Sequence, residues 1–296
     1  MNGRKHLCIA LFLGIIVAAC TPVSKKALRA YAETKEDVSV VADTPTAQQD
    51  EPSGRDGDDT QADGEGGEGY ELPAFRTSPD EIVLKRKGYT ASYNPTTKIP
   101  NWVAWHLTAE HVDGYAKRKG IPFHEDEDVP EPRVDTYDYM RSGYDRGHMC
   151  PAGDNKWDAE AMEQSFLMTN ICPQVKSLNS GIWHRLEQRV REWAARDSSI
   201  IVVCGPIFTP GKPVEQIGEI GVAVPHRFFK ALYAPGRNIG IAFIFDNDKV
   251  KGELRKYAVT IDSVERETGL DLFYNLPDDI ENEVENQCNY KLWEKR

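Results

Sequence analysis

Tyr144-Asp145-Arg146-Gly147-His148-Met149 sets a carboxylate, a guanidinium, a glycine and an imidazole at four consecutive positions. An imidazole titrates near ~6.5 when unperturbed, so His148 can accept a proton at neutral pH. A guanidinium fork suits two oxygens of one anionic group, which gives Arg146 a charge-neutralising part. Gly147 permits a backbone geometry that other residues resist, so the histidine can be presented at a strand end or turn. Taken alone, four polar residues between Gly143 and Pro151 are equally well a solvated turn. Residues further along the chain decide between the two.

Three more polar residues stand downstream at defined intervals. Asn170 lies in Thr169-Asn170-Ile171-Cys172-Pro173-Gln174, Asn179 in Leu178-Asn179-Ser180-Gly181, and Glu187 in Trp183-His184-Arg185-Leu186-Glu187. Asn179 stands nine residues after Asn170 and eight before Glu187. With Asp145-Arg146-Gly147-His148 in front, this string closely resembles the DNA/RNA non-specific endonucleases of the ββα-metal, or His-Me finger, superfamily. Their D-R-G-H motif is followed by N-x-x-P-Q, L-N-x-G and W-x-x-L-E segments. The likeness runs loosely from about residue 85 to 275 and is strongest over 143–193. Two features depart from the pattern. Cys150 stands where many relatives have Ala, and the basic residue expected upstream of the motif has only Lys98 as a candidate.

The resemblance implies a metal-dependent nuclease that hydrolyses DNA and RNA with little sequence selectivity and leaves 5′-phosphorylated ends. Hydrolysis of a phosphodiester needs a base for the attacking water and positive charge on the phosphoryl oxygens. His148 is then the general base, Arg146 contacts the scissile phosphate, and Asn179 is the protein ligand of one divalent ion. Mg²⁺, with Mn²⁺ as the alternative, prefers oxygen donors and keeps most of its waters, so one amide oxygen is a reasonable anchor. Glu187 accepts hydrogen bonds from the waters around the ion. Asp145 and Asn170 hold the site together, and Arg191, four residues after Glu187 on a helix, either supports the substrate or forms a surface ion pair with Glu187. Trp183 reads as core, while His184 and His226 are assigned no chemistry. Arg227 and Lys230 alternate on a strand and could line a groove. A phosphodiesterase acting on smaller substrates, and an inactive nucleic-acid-binding or surface lipoprotein on the same fold, are the competing readings.

The elements that must position these residues are partly legible. Gly88–Tyr93 and Trp102–Thr108 alternate apolar and polar residues around the turn-forming Asn94-Pro95-Thr96-Thr97, which predicts neighbouring strands. Residues 122–134 read as a loop. Asp158 is the predicted N-cap of a short helix through Ser165, followed by an extended run over 166–169. Ile182, Leu186, Val190, Trp193 and Ala194 fall at spacings of three and four, predicting a helix over 180–196. Residues 200–203, 228–233 and 239–245 are β-branched or aromatic runs and read as core strands. Strands and helices mix without regular alternation. The expected fold class is therefore α+β, a mixed, mainly antiparallel central sheet with flanking helices and a ββα-metal finger.

The N-terminal part has a different character. Arg4 and Lys5 precede an apolar run over 9–17 that ends in Val17-Ala18-Ala19-Cys20, the layout of an export signal. That quartet resembles a bacterial lipobox, whose processing leaves Cys20 as a lipid-bearing N-terminus; the alternative is an ordinary cleaved signal. On this reading residues 1–20 are a lipoprotein-type signal, 21–71 an acidic low-complexity linker and 72–296 the nuclease domain. The product is exported, anchored by its lipid in the bacterial envelope, and acts on DNA and RNA. Homodimers are common among relatives, but no residue here requires one.

Residues 33–71 carry 13 acids and 2 bases, so most of the formal net charge of −11 belongs to the linker. A mildly acidic folded part leaves room for a local basic groove. Cys8 falls within the signal, leaving Cys150, Cys172, Cys204 and Cys288 for the exported domain, where two disulfides are expected. Three connectivities exist; Cys150–Cys172 and Cys204–Cys288 are preferred, because the first pair flanks one short helix and the second ties the tail to a core strand. A zinc site built on His148 and these cysteines lacks the close C-x-x-C spacing.

Overall fold

The computed structural model describes residues 69–75 and 80–294, which fall in one compact unit, Asp59–Arg296. The predicted export signal, the lipidation site Cys20 and the linker up to residue 68 lie outside the described residues. Among the described residues, no helix is long and apolar enough to cross a membrane.

Three successive strands, β1 (Ile82–Lys85), β2 (Thr90–Asn94) and β3 (Ile99–Thr108), form a meander. The predicted turn joins β2 to β3, with Asn94 Oδ1 accepting from the backbone of Thr96 and Thr97. A separate two-stranded ribbon is built from β4 (Tyr144–His148) and β5 (Ile171–Val175). Between them runs α1 (Ala159–Gln164), capped as expected by Asp158, whose carboxylate accepts from the backbone of Glu160 and Ala161. The long helix α2 (His184–Asp197) leads into β6 (Ser199–Ile207). Then come β7 (Arg227–Ala234), β8 (Ile239–Asp246), β9 (Ala258–Val259), α3 (Ile261–Thr268) and α4 (Asp278–Glu285).

The central sheet has seven strands in the order β9-β8-β7-β6-β3-β2-β1, every neighbour antiparallel. Both of its faces are covered, which explains why β6 reads as a continuous apolar run. Ile200, Val202 and Cys204 face one core together with Leu186, Val190 and Trp193 of α2. Ile201 and Val203 face the other, with Ile261 and Val264 of α3 and Val284 of α4. Period-two alternation thus sorts one strand's side chains between two cores. Tyr70, Leu72 and Phe75 pack against the second core. The observed architecture is the expected α+β class.

Three local features differ from the sequence expectation. The D-R-G-H motif is itself a strand that ends on His148, the strand-end alternative of the sequence reading, but its partner β5 carries no strand signal of its own. Residues 166–169 do not extend. A 3₁₀ turn, Met168–Asn170, winds there and β5 begins only at Ile171. The helix predicted from residue 180 starts at His184; ahead of it the π-wound turn Leu178–Trp183 is broken at Gly181, whose φ and ψ are −104° and −111°. The apolar spacing that predicted the helix continues through this turn, because Ile182 and Trp183 are buried against the same core as Leu186.

Candidate active site

The β4–β5 register fixes the site from below. Asp145 pairs with Gln174, Gly147 with Cys172 and His148 with Ile171. Glycine is required at 147 by a close approach: a Cβ there would lie 2.1 Å from Gln174 Oε1. Packing, and not the backbone freedom expected from the sequence, sets that requirement.

Beyond His148 the main chain is held at every step. Trp183 Nε1 donates to the His148 carbonyl at 3.3 Å, and the amide of Met149 donates to the Asn170 carbonyl at 2.9 Å. Asn170 is fully buried; its Oδ1 accepts from the Cys150 amide, and its Nδ2 donates to the carbonyls of Cys150 and Ser165, each at 2.8 Å. Asn170 therefore acts as a clamp on the strand end that carries His148. The same clamp coils residues 166–170. Trp183 is core, as expected, with its ring against Phe228 and Phe245.

The His148 ring meets the edge of Phe166, with centroids 5.1 Å apart, and lies 5.2 Å from Phe123. Its Nε2 is buried without a hydrogen-bond partner among the described residues. Burial pushes the imidazole down to about 4; the Glu187 charge opposes this and Arg118 adds to it. A neutral imidazole is therefore present throughout the neutral range, ready to accept a proton. Arg146 stacks its guanidinium 4.8 Å above the Phe123 ring.

Asp145 Oδ2 accepts from Asn179 Nδ2 at 3.1 Å. An ionised carboxylate only accepts, so the amide nitrogen must face Asp145 and the amide oxygen is left to the cavity. The first turn of α2 carries Glu187, whose carboxylate sits 3.4 Å from His184 Nδ1 and draws that imidazole's pKa up. Arg191, one turn on, does not pair with Glu187. Its guanidinium donates to Asp154 Oδ1 at 2.8 Å, while Asp154 Oδ2 accepts from Trp105 Nε1. Burial raises Asp154 to about 6, against the pull of Arg191.

A cavity of about 720 Å³ gathers Arg146, His148, Asn179, Glu187 and Arg191 on its walls. An amide oxygen and a half-buried carboxylate facing one cavity are hard oxygen donors, a set that fits Mg²⁺ or Mn²⁺. Asp145 and Asn170 stand behind these residues, as supports.

Three basic residues of the cavity escaped the sequence reading: Lys117, Arg118 and Lys156. The run Lys117-Arg118-Lys119 was visible, but nothing local says that it folds over the site. Gly114 decides that, since a Cβ there would fall 2.0 Å from the Lys156 carbonyl oxygen, and the amide of Ala116 donates to that same oxygen at 2.8 Å. The loop is thus pressed onto Lys156, and Arg118 reaches over the Phe166 ring. Lys98, the candidate upstream base, sits in the β2–β3 turn with φ of 63° and does not line the cavity. Lys230 and Arg227 do not line it either: Lys230 is buried and Arg227 pairs with Glu267. His226 is structural, accepting from the Thr209 amide and meeting the Pro213 carbonyl.

The expected disulfides are not formed; Cys150, Cys172, Cys204 and Cys288 are all free thiols. Cys172 lies opposite Gly147 in the ribbon, three residues short of Cys150, so the register keeps that pair apart. Cys204 is sealed inside the sheet core, where its thiol meets the Met149 carbonyl, whereas Cys288 is exposed.

The profile of the DNA/RNA non-specific endonuclease family matches residues 68–279, and the chain belongs to that family of nucleic-acid-cleaving hydrolases. It is similar to the mitochondrial nuclease of Saccharomyces cerevisiae, with 36% identity over 222 residues that cover 67% of this chain and 68% of that protein. Human mitochondrial endonuclease G is 35% identical over 202 residues, covering 64% and 68%. Human mitochondrial nuclease EXOG is 33% identical over 219 residues, covering 68% of this chain; the chain spans 59% of the length of the human and zebrafish EXOG proteins. Among solved structures, a chain of the EndoG/EndoGI complex superposes with a TM-score of 0.64 at 30% identity, covering 69% of this chain and 89% of that one.

Proposed function

We propose that this protein is a metal-dependent endonuclease that hydrolyses the phosphodiester bonds of DNA and RNA with little sequence selectivity. The observation that carries the reading is the convergence of a neutral His148, the Asn179 amide oxygen and the Glu187 carboxylate on one basic cavity.

His148 takes the proton of an attacking water. Its Nε2 is enclosed, so Nδ1 is the accepting nitrogen. As the water oxygen bonds to phosphorus, the bond to the 3′ oxygen breaks and that oxygen takes a proton from solvent, leaving a 5′-phosphate and a 3′-hydroxyl. Arg146, fixed on Phe123, neutralises the phosphoryl oxygens, and Arg118, Lys117 and Lys156 hold the flanking phosphates. Such contacts fix position without reading bases, which accounts for low selectivity. Asn179 and Glu187 would hold a divalent ion of the Mg²⁺ type, Asn179 directly and Glu187 through its water shell; when bound, it supplies positive charge for the developing oxyanions. Asp145 keeps the Asn179 oxygen aimed at the cavity.

The Val17-Ala18-Ala19-Cys20 quartet supports export and lipid anchoring. Incorporation of labelled palmitate that is lost in Cys20→Ser tests this separately. The activity is tested by cleavage of supercoiled plasmid and of RNA, with Mg²⁺ or with chelator, beside His148→Ala and Asn179→Ala. Loss of cleavage in chelator and in both variants is expected. Full activity in either variant sinks the mechanism, and full activity in chelator removes the metal.

A further inference from the structure

Lys230 stands in the middle of β7 with 1% of its surface exposed, on the face of the sheet that carries the site. Its neighbours in register are Cys204 of β6 and Phe243 of β8, so it enters the core as an apolar residue would. Burying an ammonium carries a large desolvation cost unless partners replace the lost water. Among the described residues it has no carboxylate in an ion pair. It has instead two indole faces, Trp105 at 4.7 Å and Trp183 at 4.6 Å, and the carbonyl of Met149 at 3.4 Å.

That carbonyl belongs to the residue after His148. The Cys204 thiol donates to the same oxygen at 3.3 Å, and Trp183, one of the two indoles around Lys230, donates to the His148 carbonyl. Donors from β6, β7 and the turn before α2 thus converge on two consecutive peptide units. The strand β4 ends there; the Met149 and Cys150 amides are held by Asn170, while the Met149 carbonyl is held by Lys230 and Cys204. The ammonium also lies close enough to Asp154 to oppose the effect of burial on it, and Asp154 holds Arg191 in the cavity wall.

We propose that Lys230 is a positioning residue for the base: its buried ammonium holds the Met149 carbonyl and so fixes the strand end that presents His148 to the cavity. The inference rests on the reading of His148 as general base. Lys230 touches neither substrate nor cavity, so its effect falls on turnover and leaves nucleic-acid binding unchanged.

The test uses the full chain carrying Lys230→Met, which keeps the apolar stem and removes the charge, and Lys230→Arg, which restores a cationic donor between the indoles. Plasmid cleavage gives kcat, KM and the salt dependence of KM, and NMR of the imidazole signals follows His148 directly. A misplaced base costs on the order of 10²-fold. The expected result for Lys230→Met is a kcat lower by roughly that factor, KM within about twofold, an unchanged salt slope and a displaced His148 signal, with part of kcat recovered in Lys230→Arg. A folded Lys230→Met with wild-type kcat and an unmoved His148 signal overturns the proposal, as does a loss confined to KM. Should Lys230→Met not fold, Cys204→Ala and Trp183→Phe each remove one donor to the same peptides; wild-type kcat in both overturns it equally. If His148→Ala retains full activity, the base reading fails, and the imidazole signal still decides whether Lys230 fixes that strand end.

Discussion

Asp145→Ala separates orientation of Asn179, the proposed metal ligand, from its chemistry. In the structure Asp145 performs one measurable task, accepting the Asn179 amide nitrogen at 3.1 Å. Without that bond the Asn179 side chain is free to turn, and its nitrogen faces the cavity part of the time. A hydrogen bond to a charged group contributes about 1.5–3 kcal/mol, and loss of an outer support at a metal site typically costs about 10–100-fold in affinity. The two figures agree, since tenfold corresponds to about 1.4 kcal/mol. The expected outcome is an apparent Mg²⁺ requirement for plasmid cleavage raised about 10–100-fold, with most of kcat regained at saturating Mg²⁺. Direct Mn²⁺ binding followed by electron spin resonance should weaken in parallel. Adding Asp145→Ala to Asn179→Ala should cost little more, because the two residues act as one unit. A metal affinity within twofold of wild type would refute the orientation argument. So would a defect at saturating metal as deep as that of Asn179→Ala.

The remaining predictions concern protons, phosphates and thiols. His148 titrates below its unfolded value, so the acid limb of kcat/KM should lie near pH 4 instead of near ~6.5. Glu187→Gln should move the limb lower and Arg118→Ala higher, and a limb at the free-imidazole value would contradict the burial of the ring. By the same linkage, the neutral His148 contributes stability that is fully present above ~6.5 and is lost as pH falls through about 4, which acid unfolding of His148→Asn beside wild type would show. Lys117→Ala and Arg118→Ala should each raise KM and reduce the salt slope of binding by about one, as expected for phosphate contacts; an unchanged slope removes the loop from the substrate path. In the native protein Cys288 should react with a maleimide while Cys150, Cys172 and Cys204, buried and with their thiols pushed up by burial, react only after unfolding. Peptide mapping reads this directly, and a Cys150–Cys172 crosslink in the native protein would reverse the assignment.

A basic cavity on an acidic chain results from where the charges lie. The net negative charge is concentrated in residues 33–71, with 13 acids against 2 bases, while Lys117, Arg118, Arg146, Lys156 and Arg191 converge on one opening whose sole carboxylate among the described residues is Glu187. Asp154 is withdrawn into the core beneath Arg191, so it orients that guanidinium without presenting negative charge to a phosphate. Net charge therefore says little about the substrate here, because a phosphate is attracted by the local field of the cleft.

The candidate site residues and most of the scaffold that carries them are legible in local sequence. The resemblance to the family's motifs named His148, Arg146, Asn179 and Glu187, and period-two and period-3.6 patterns located the core strands and α2, because those patterns are local and set by which side chains face a core. Asp158 could be read as a cap for the same reason. Approaches between distant segments are settled only by folding. The Gly114 loop lies on Lys156, Arg191 turns to Asp154 in preference to Glu187, and Asp145 orients Asn179 across 34 residues of chain. The ribbon register separates Cys150 from Cys172, which their spacing along the chain suggests are a pair. Lys230 was legible only as one of two basic residues, with Arg227, on one strand. Its burial between Trp105 and Trp183 depends on three strands meeting over one carbonyl, and no window of sequence contains that contact.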